Sequence, residues 1–295
     1  MLPSSGVLVL DGGMSNALEG RGHDLSDELW TARLLRDAPA EIAAVHRAYF
    51  DAGAMVATTA SYQADVAGLM RHGLGRSAAE ALVRSSVTIA RDVRDGLPSN
   101  GTRRLVAASV GPYGATLADG SEYRGRYGLS PAELRDFHGP RLKLLADAGP
   151  DLFAVETIPD VDEARVLVDL LDELDVPAWF SYSIVGPRTR AGQDLVEAFS
   201  VAVSARSVVA VGVNCCAPAD VLPALQLLRG VTDKPGVVYP NSGERWDATA
   251  RGWAGHTAYD VDLAPQWVSA GAALVGGCCR VGPSTIAALA SVLGD

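Results

Sequence analysis

The chain has 295 residues, 48% of them hydrophobic and 20% charged, with a formal net charge of −10, a composition that is neither disordered nor fibrous. The acidic balance, with no run of Lys and Arg, argues against nucleic acid or an anionic membrane as main partner, since both need basic patches. No segment approaches the ~18 apolar residues of a spanning helix, and the short apolar N-terminal run lacks a basic flank, so the expected compartment is the cytoplasm, where thiols stay reduced.

In chain order, eight short apolar runs recur, most of them running into Gly, Pro, Asn or Asp or a cysteine pair: "GVLVLDGG", "AMVATTASYQ", "RLVAASVGPYG", "DLFAVETIP", "AWFSYSI", "VVAVGVNCC", "GVVYPNSG" and "AALVGGCC". Near-continuous apolar runs of this length suit parallel strands covered on both faces. Helical patterns separate them. After the first two strands, "PAEIAAVHRAYFDAG" aligns Ile42, Val45 and Tyr49, and "SAAEALVRSSVTIARDV" offers Ser77 and Glu80 as a capping box. After the third, Ser130 and Glu133 repeat the device with Pro131 at the first helical position, and Pro140 is expected to kink or interrupt that helix. "DVDEARVLVDLLDEL" aligns Ala164, Leu167, Leu171 and Leu174, and "DLVEAFSVAVSA", "PADVLPALQLLRG", "YDVDLAPQWVSAG" and "PSTIAALASVL" complete the series.

Eight strands alternating with eight helical segments predict one (β/α)8 TIM barrel, an α/β fold, over residues 1–295. An open doubly wound sheet is disfavoured because no G-x-G-x-x-G follows the first strand. Extra length lies after strands one, two and three. "PYGATLADGSEYRGRYGLS", residues 112–130, reads as a lid or binding loop or as a variable surface insertion.

All four cysteines stand in two doublets, Cys215-Cys216 and Cys278-Cys279. Neighbouring cysteines do not readily pair, because consecutive Cα atoms lie ~3.8 Å apart, below the usual ~4.4–6.8 Å of a disulfide. Buried filler is one role for such residues. Yet the barrel puts both doublets at C-terminal strand ends, the face where active sites sit. A thiolate cluster there suits Zn2+, and three Cys with an open fourth position is the catalytic arrangement. The five histidines show no metal-type spacing. Spacing alone does not choose three of the four cysteines. Strand alternation turns only one of Cys215 and Cys216 inward, whereas the Gly276-Gly277 pair permits unusual backbone that lets both Cys278 and Cys279 reach a metal.

"DGGMSNALEGRG", "TTASYQA", "GPYGATLADGSEYRG", "FAVETIP", "GVNCCAP", "YPNSGE" and "GGCCRVGPSTI" together resemble the zinc-dependent homocysteine S-methyltransferase family over nearly the whole chain. The resemblance implies a homocysteine-binding (β/α)8 barrel whose zinc ligands are Cys215, Cys278 and Cys279, with Cys216 structural. It further implies that Asp11 and Glu156 hold the amino acid substrate and that Thr58, Thr59 and Ser61 line the same mouth; Thr58, Ser61 and Asn214 of the G-V-N-C segment are expected substrate contacts. Gly12 and Gly13 are expected to offer N–H groups to the substrate carboxylate.

A free thiol has a pKa of ~8.5, and only the thiolate is nucleophilic; zinc coordination removes the proton. Three thiolate ligands leave the metal a weak Lewis acid and its sulfur ligands electron-rich, which suits attack on an activated methyl group. The donor must carry methyl on a positive atom, and Tyr113, Tyr123, Trp246 and Trp253 are candidates to face it through cation–π attraction. Within the family resembled, donors are S-methylmethionine, S-adenosylmethionine or betaine. The C-terminal sequence of the betaine enzymes has no counterpart here, which favours a sulfonium donor. The competing readings are a betaine- or selenocysteine-type enzyme of the same family, a zinc hydrolase, and a non-catalytic zinc- or amino-acid-binding barrel. The expected partners are homocysteine and the donor, and the oligomeric state stays open between monomer and weak dimer.

Overall fold

Eight parallel strands form the centre of the computed structural model, which describes residues 6–25, 31–99, 101–247 and 252–294, with backbone alone for 245–247 and 252–254. They are β1 (Leu8–Val9), β2 (Val56–Thr58), β3 (Leu105–Val110), β4 (Leu152–Ile158), β5 (Ala178–Tyr182), β6 (Val208–Asn214), β7 (Gly236–Tyr239) and β8 (Ala272–Val275). Each pairs in parallel with its sequence neighbour from β2 to β8, and β8 pairs with β1. A parallel bridge between Leu10 and Val56 joins β1 to β2 and closes the ring. The (β/α)8 barrel expected from the alternation is therefore the observed fold.

Strand alternation divides the core in two. Leu8, Leu10, Val56, Leu105, Ala107, Leu152, Ala154, Trp179, Ala210, Val237, Tyr239 and Leu274 fill the barrel interior. The opposite faces of the strands meet the helices in a larger shell that includes Cys216. Two residues further along several strands, the inward position becomes polar, at Thr58, Ser109, Glu156 and Ser181, and on β6, past Gly212, at Asn214. The interior is thus apolar at its base and hydrogen-bonding at its C-terminal mouth.

The outer layer comprises α1 (Met14–Glu19), α2 (Thr31–Asp37), α3 (Pro39–Asp51), α4 (Val66–Arg71), α5 (Arg76–Asp95), α6 (Pro131–Asp147), α7 (Val161–Leu174), α8 (Leu195–Ser204), α9 (Pro218–Arg229), α10 (Ala264–Ser269) and α11 (Pro283–Gly294). The surplus after the first three strands holds α1, α2 and α4 and two 3-10 turns, Tyr113–Leu117 and Ser121–Tyr123. These pieces are too short to show a helical period. Two short antiparallel hairpins, Ile184–Val185 with Arg188–Thr189 and Arg245–Asp247 with Gly252–Ala254, lie outside the barrel. Among the described residues no helix is long and apolar enough to cross a membrane.

Two local expectations fail. α5 starts at Arg76 behind an extended Gly75 with no side-chain cap, so Ser77 lies inside the first turn and forms no capping box with Glu80. The Gly73 turn, at φ 89°, ends α4 and launches the next helix earlier than Ser77 would. Pro140 does not interrupt α6, which runs from Pro131 to Asp147. Packing against both α5 and α7 outweighs the single hydrogen bond that proline removes. The Ser130–Glu133 capping box is present as expected, with Pro131 opening the helix.

Candidate metal centre

The ends of β6 and β8 bring three sulfurs together. One Sγ each from Cys215, Cys278 and Cys279 lies within 4.8 Å of the others, and the Cys215–Cys279 Sγ separation is 3.9 Å. Three sulfurs bound tetrahedrally at ~2.3 Å from zinc would stand ~3.8 Å apart. Cys216 points the other way, into the shell between strands and helices. The donors are all soft thiols, which fits Zn2+.

The backbone that achieves this is unusual at the cysteine itself. Cys215 has φ 47°, in the left-handed region, so the strand turns as it ends and carries the side chain over the mouth. Gly276 and Gly277 do not have positive φ; their contribution is close approach instead. A Cβ on Gly276 would stand 2.6 Å from Leu10 Cβ, and one on Gly277 2.1 Å from the Val281 side chain. The segment after β7 backs both doublets. Cys278 N–H donates to Pro240 O at 2.9 Å, Cys279 N–H to Asn241 Oδ1 at 3.1 Å, Asn241 N–H to Cys216 O at 3.0 Å and Ser242 N–H to Cys279 O at 2.9 Å. The "YPNSGE" stretch is therefore a brace for the sulfurs, a role that apolar patterning does not reveal.

Without a cation the three thiols share charge unevenly. Hydrogen bonds from Cys215 and Cys278 pull the Cys279 thiol well below its usual range, and the same contacts push Cys278 well above it. A divalent cation would bind all three sulfurs as thiolates.

Two carboxylates face the same mouth. Asp11 accepts from Thr58 N–H at 2.6 Å and Thr58 Oγ1 at 2.8 Å; burial raises it to about 7 against those hydrogen bonds. Glu156 accepts a short hydrogen bond from Ser109 Oγ and is likewise raised to about 7, by burial, with Ser109 and Tyr239 opposing. The Tyr239 hydroxyl also accepts from Trp179 Nε1 at 2.9 Å. Composition gave no reason to single out Ser109 or Tyr239; their inward register on β3 and β7 is the signal that identifies them.

Other expected contacts fall elsewhere. Asn214 is fully buried, and three hydrogen bonds hold its amide: Oδ1 accepts from Thr157 N–H at 2.7 Å and Ser181 Oγ at 2.9 Å, and Nδ2 donates to Thr157 Oγ1 at 2.8 Å. It positions Thr157, a β-branched residue held at φ 61° directly after Glu156. Ser61 is fully buried as well, bonded to Thr59 Oγ1 and Ser109 O at 2.7 Å each. The Gly13 N–H donates to Val281 O at 2.9 Å and is unavailable. A Cβ on Gly12 would lie 2.2 Å from Val281 O, so that glycine permits the close contact of the first and last strand ends.

The 112–130 loop folds over this face. Tyr113 packs against Tyr127 and Phe137 at 5.3 and 5.0 Å between centroids, and its N–H donates to Glu163 at 2.6 Å, so it anchors the loop. Glu163 pairs in turn with buried His138 at 2.9 Å. Tyr123 differs: its hydroxyl faces the sulfurs, adding to the lowering of the Cys279 thiol and opposing the rise of Cys215. The side chains of Trp246 and Trp253 lie outside the described residues. Surface clefts of about 460 and 540 Å3 sit in the outer helical layer, beside Arg165 and Glu197 and beside Met70 and Phe137, and contain none of the sulfurs.

Comparison with known proteins agrees with this geometry. The family profile described as homocysteine S-methyltransferase matches residues 8–293. A homocysteine S-methyltransferase of Escherichia coli is 45% identical, with 98% of this chain and 96% of that protein covered. A selenocysteine Se-methyltransferase of Brassica oleracea is 40% identical over 97% of this chain and 88% of the relative. The crystal structure of the homocysteine methyltransferase MmuM from Escherichia coli, in its metallated form, superposes with a TM-score of 0.89 at 43% identity, covering 98% of this chain and 97% of that one.

Proposed function

The chain belongs to the homocysteine S-methyltransferase family, and from that membership we propose that it moves a methyl group from a sulfonium donor, S-methylmethionine or S-adenosylmethionine, to the thiol of homocysteine, giving methionine, with Zn2+ held by Cys215, Cys278 and Cys279. The observation that carries the reading is the convergence of these three sulfurs, joined by no histidine among the described residues, at the mouth of the barrel. A zinc ion bound there would supply a Lewis acid that keeps a thiol substrate ionised at neutral pH.

The chain's own side chains align the reactants. Asp11 and Glu156 are the groups for the homocysteine ammonium, Asp11 fixed by Thr58 and Glu156 by Ser109 and Tyr239. Both are buried and lack a cationic partner strong enough to keep them ionised, so an arriving ammonium stabilises their charged forms. Fixed positions matter because the acceptor sulfur, the methyl carbon and the leaving sulfur must lie on one axis. The acceptor sulfur donates the electron pair of the new S–CH3 bond. The CH3–S+ bond breaks with its pair returning to the donor sulfur, which leaves as a neutral thioether, and the acceptor's thiol proton passes to solvent. All four cysteines are free thiols, and a reducing cytoplasm is the compartment we assign. The barrel over residues 1–295 acts as one homocysteine-binding domain.

A donor panel tests the reading. Zinc-loaded protein, homocysteine and each of S-methylmethionine, S-adenosylmethionine and betaine are incubated and methionine is measured. Methionine from a sulfonium donor and little from betaine is expected; no methionine from any donor would refute the activity, and betaine as the best donor would refute the donor class. Selenohomocysteine belongs in the same panel as an acceptor, given the selenocysteine-methylating relative.

A further inference from the structure

Asp11 and Glu156 together answer one substrate ammonium, yet a third buried carboxylate faces the thiols. Glu122, in the 3-10 turn Ser121–Tyr123 that packs on β4, is 6% exposed, and its Oε2 is buried with no hydrogen-bond partner. The Cys215 and Cys279 sulfurs, the Tyr62 hydroxyl and the Asp119 carboxylate lie within its electrostatic reach, and among the described residues it forms no ion pair. An unpaired buried carboxylate costs several kcal/mol unless something positive completes it.

Next to it, Tyr123 places its hydroxyl beside the sulfurs and carries the Arg190 guanidinium 5.3 Å from its ring centroid. Arg190 Nε reaches Ser183 Oγ at 3.4 Å, and none of the ion pairs among the described residues includes its guanidinium. Gly125, at φ 66°, lets the loop turn against Asp160 and Ala191, which fixes this segment beside Arg190. Tyr123 therefore stands between a carboxylate that lacks a cation and a guanidinium that lacks an anion.

We propose that these residues form the donor subsite: Glu122 is the counter-charge for the methyl-bearing sulfonium, and Arg190 receives the donor's carboxylate across Tyr123. The complement of that arrangement is a zwitterion with its positive sulfur toward the thiols and its carboxylate away from them, the chemistry of an amino-acid sulfonium. The assignment rests on the methyl-transfer reading above and adds the residues that select the donor.

Two variants, Glu122→Gln and Arg190→Met, test it, each first checked for zinc content and far-UV circular dichroism. Losing one charged contact should raise the S-methylmethionine KM about 10- to 100-fold, leave the homocysteine KM within about twofold, and be partly rescued in Glu122→Asp. A donor KM within twofold of wild type in both variants overturns the subsite, as does a parallel rise in the homocysteine KM, which would place these residues on the acceptor. If Glu122→Gln fails to fold, Arg190→Met alone decides by the same criterion. Calorimetric titration with S-methylmethionine separates this proposal from the function itself. Should wild-type protein transfer no methyl group, the activity falls, while binding that weakens at least about tenfold in Glu122→Gln still supports the subsite. Equal binding by both proteins, or none by wild type, overturns it.

Discussion

At the scale of the residue, the site depends on two left-handed backbones and the amide that fixes one of them. Asn214 ties Thr157 behind Glu156 and immediately precedes Cys215, so one buried side chain connects a substrate carboxylate to a sulfur. Asn214→Ala removes three hydrogen bonds, and the unfolding free energy is expected to drop by about 2–4 kcal/mol in urea titration; the homocysteine KM should rise with it, and a change in neither would show the link to be idle. For Glu156, the raised value sets a direction in pH. Its carboxyl is neutral below about 7 and charged above, so the homocysteine KM should fall as pH rises from 6 to 8, helped by ionisation of the substrate thiol. In Glu156→Gln the KM should be roughly tenfold higher with a shallower pH dependence; an unchanged profile would remove the assigned role. The inward position of Glu156 near the end of an apolar strand was legible. The internal hydrogen bonds of Asn214 and Ser61 were not, because sequence places a polar residue near the mouth without revealing which neighbours it bonds.

At the scale of the element, alternation was the most informative signal. Inward Leu152, Ala154 and Glu156 on β4, or Leu105, Ala107 and Ser109 on β3, show the same change from apolar to polar at the third inward step. Helix ends were less legible: the Ser130 box formed and the Ser77 box did not, because a glycine turn upstream of α5 decided where that helix began. Close approach between strands is invisible in a sequence until coordinates locate it. A Cβ on Gly212 would sit 1.8 Å from Val237 O, across the β6–β7 pair that positions Cys215. Gly212→Ala should therefore cost about 3 kcal/mol or more and lower Tm by roughly 6 °C or more, measured by thermal denaturation. A Tm within a degree of wild type would mean that the two strands separate freely.

At the scale of the whole molecule, burial of acids at the barrel mouth couples stability to pH and to the metal. Asp11, Glu122 and Glu156 are each raised to about 7. Their contribution is complete below the unfolded carboxylate range and is lost as pH rises through about 7. His46, buried and lowered to about 4, acts oppositely: its contribution is present above its unfolded value and is lost as pH falls through about 4. With three groups against one, metal-free protein should melt higher at pH 5.5 than at pH 7.5. Zinc should stabilise more at pH 7.5, because its thiol ligands bind deprotonated; a metal-free Tm that rises over that interval would contradict the balance. Barrel, doublets and family resemblance were all readable from the chain. The brace after β7 and the packing of the Glu122–Tyr123 turn were not, since each depends on segments distant in sequence meeting at one rim.

The most direct test of the metal centre is zinc content and methyl transfer measured side by side in wild type and the four single Cys→Ala variants. Wild type and Cys216→Ala should hold about one zinc per chain and turn over, whereas Cys215→Ala, Cys278→Ala and Cys279→Ala should lose both metal and activity while remaining folded. Zinc lost from Cys216→Ala, or full turnover by metal-free wild type, would contradict a three-sulfur catalytic site.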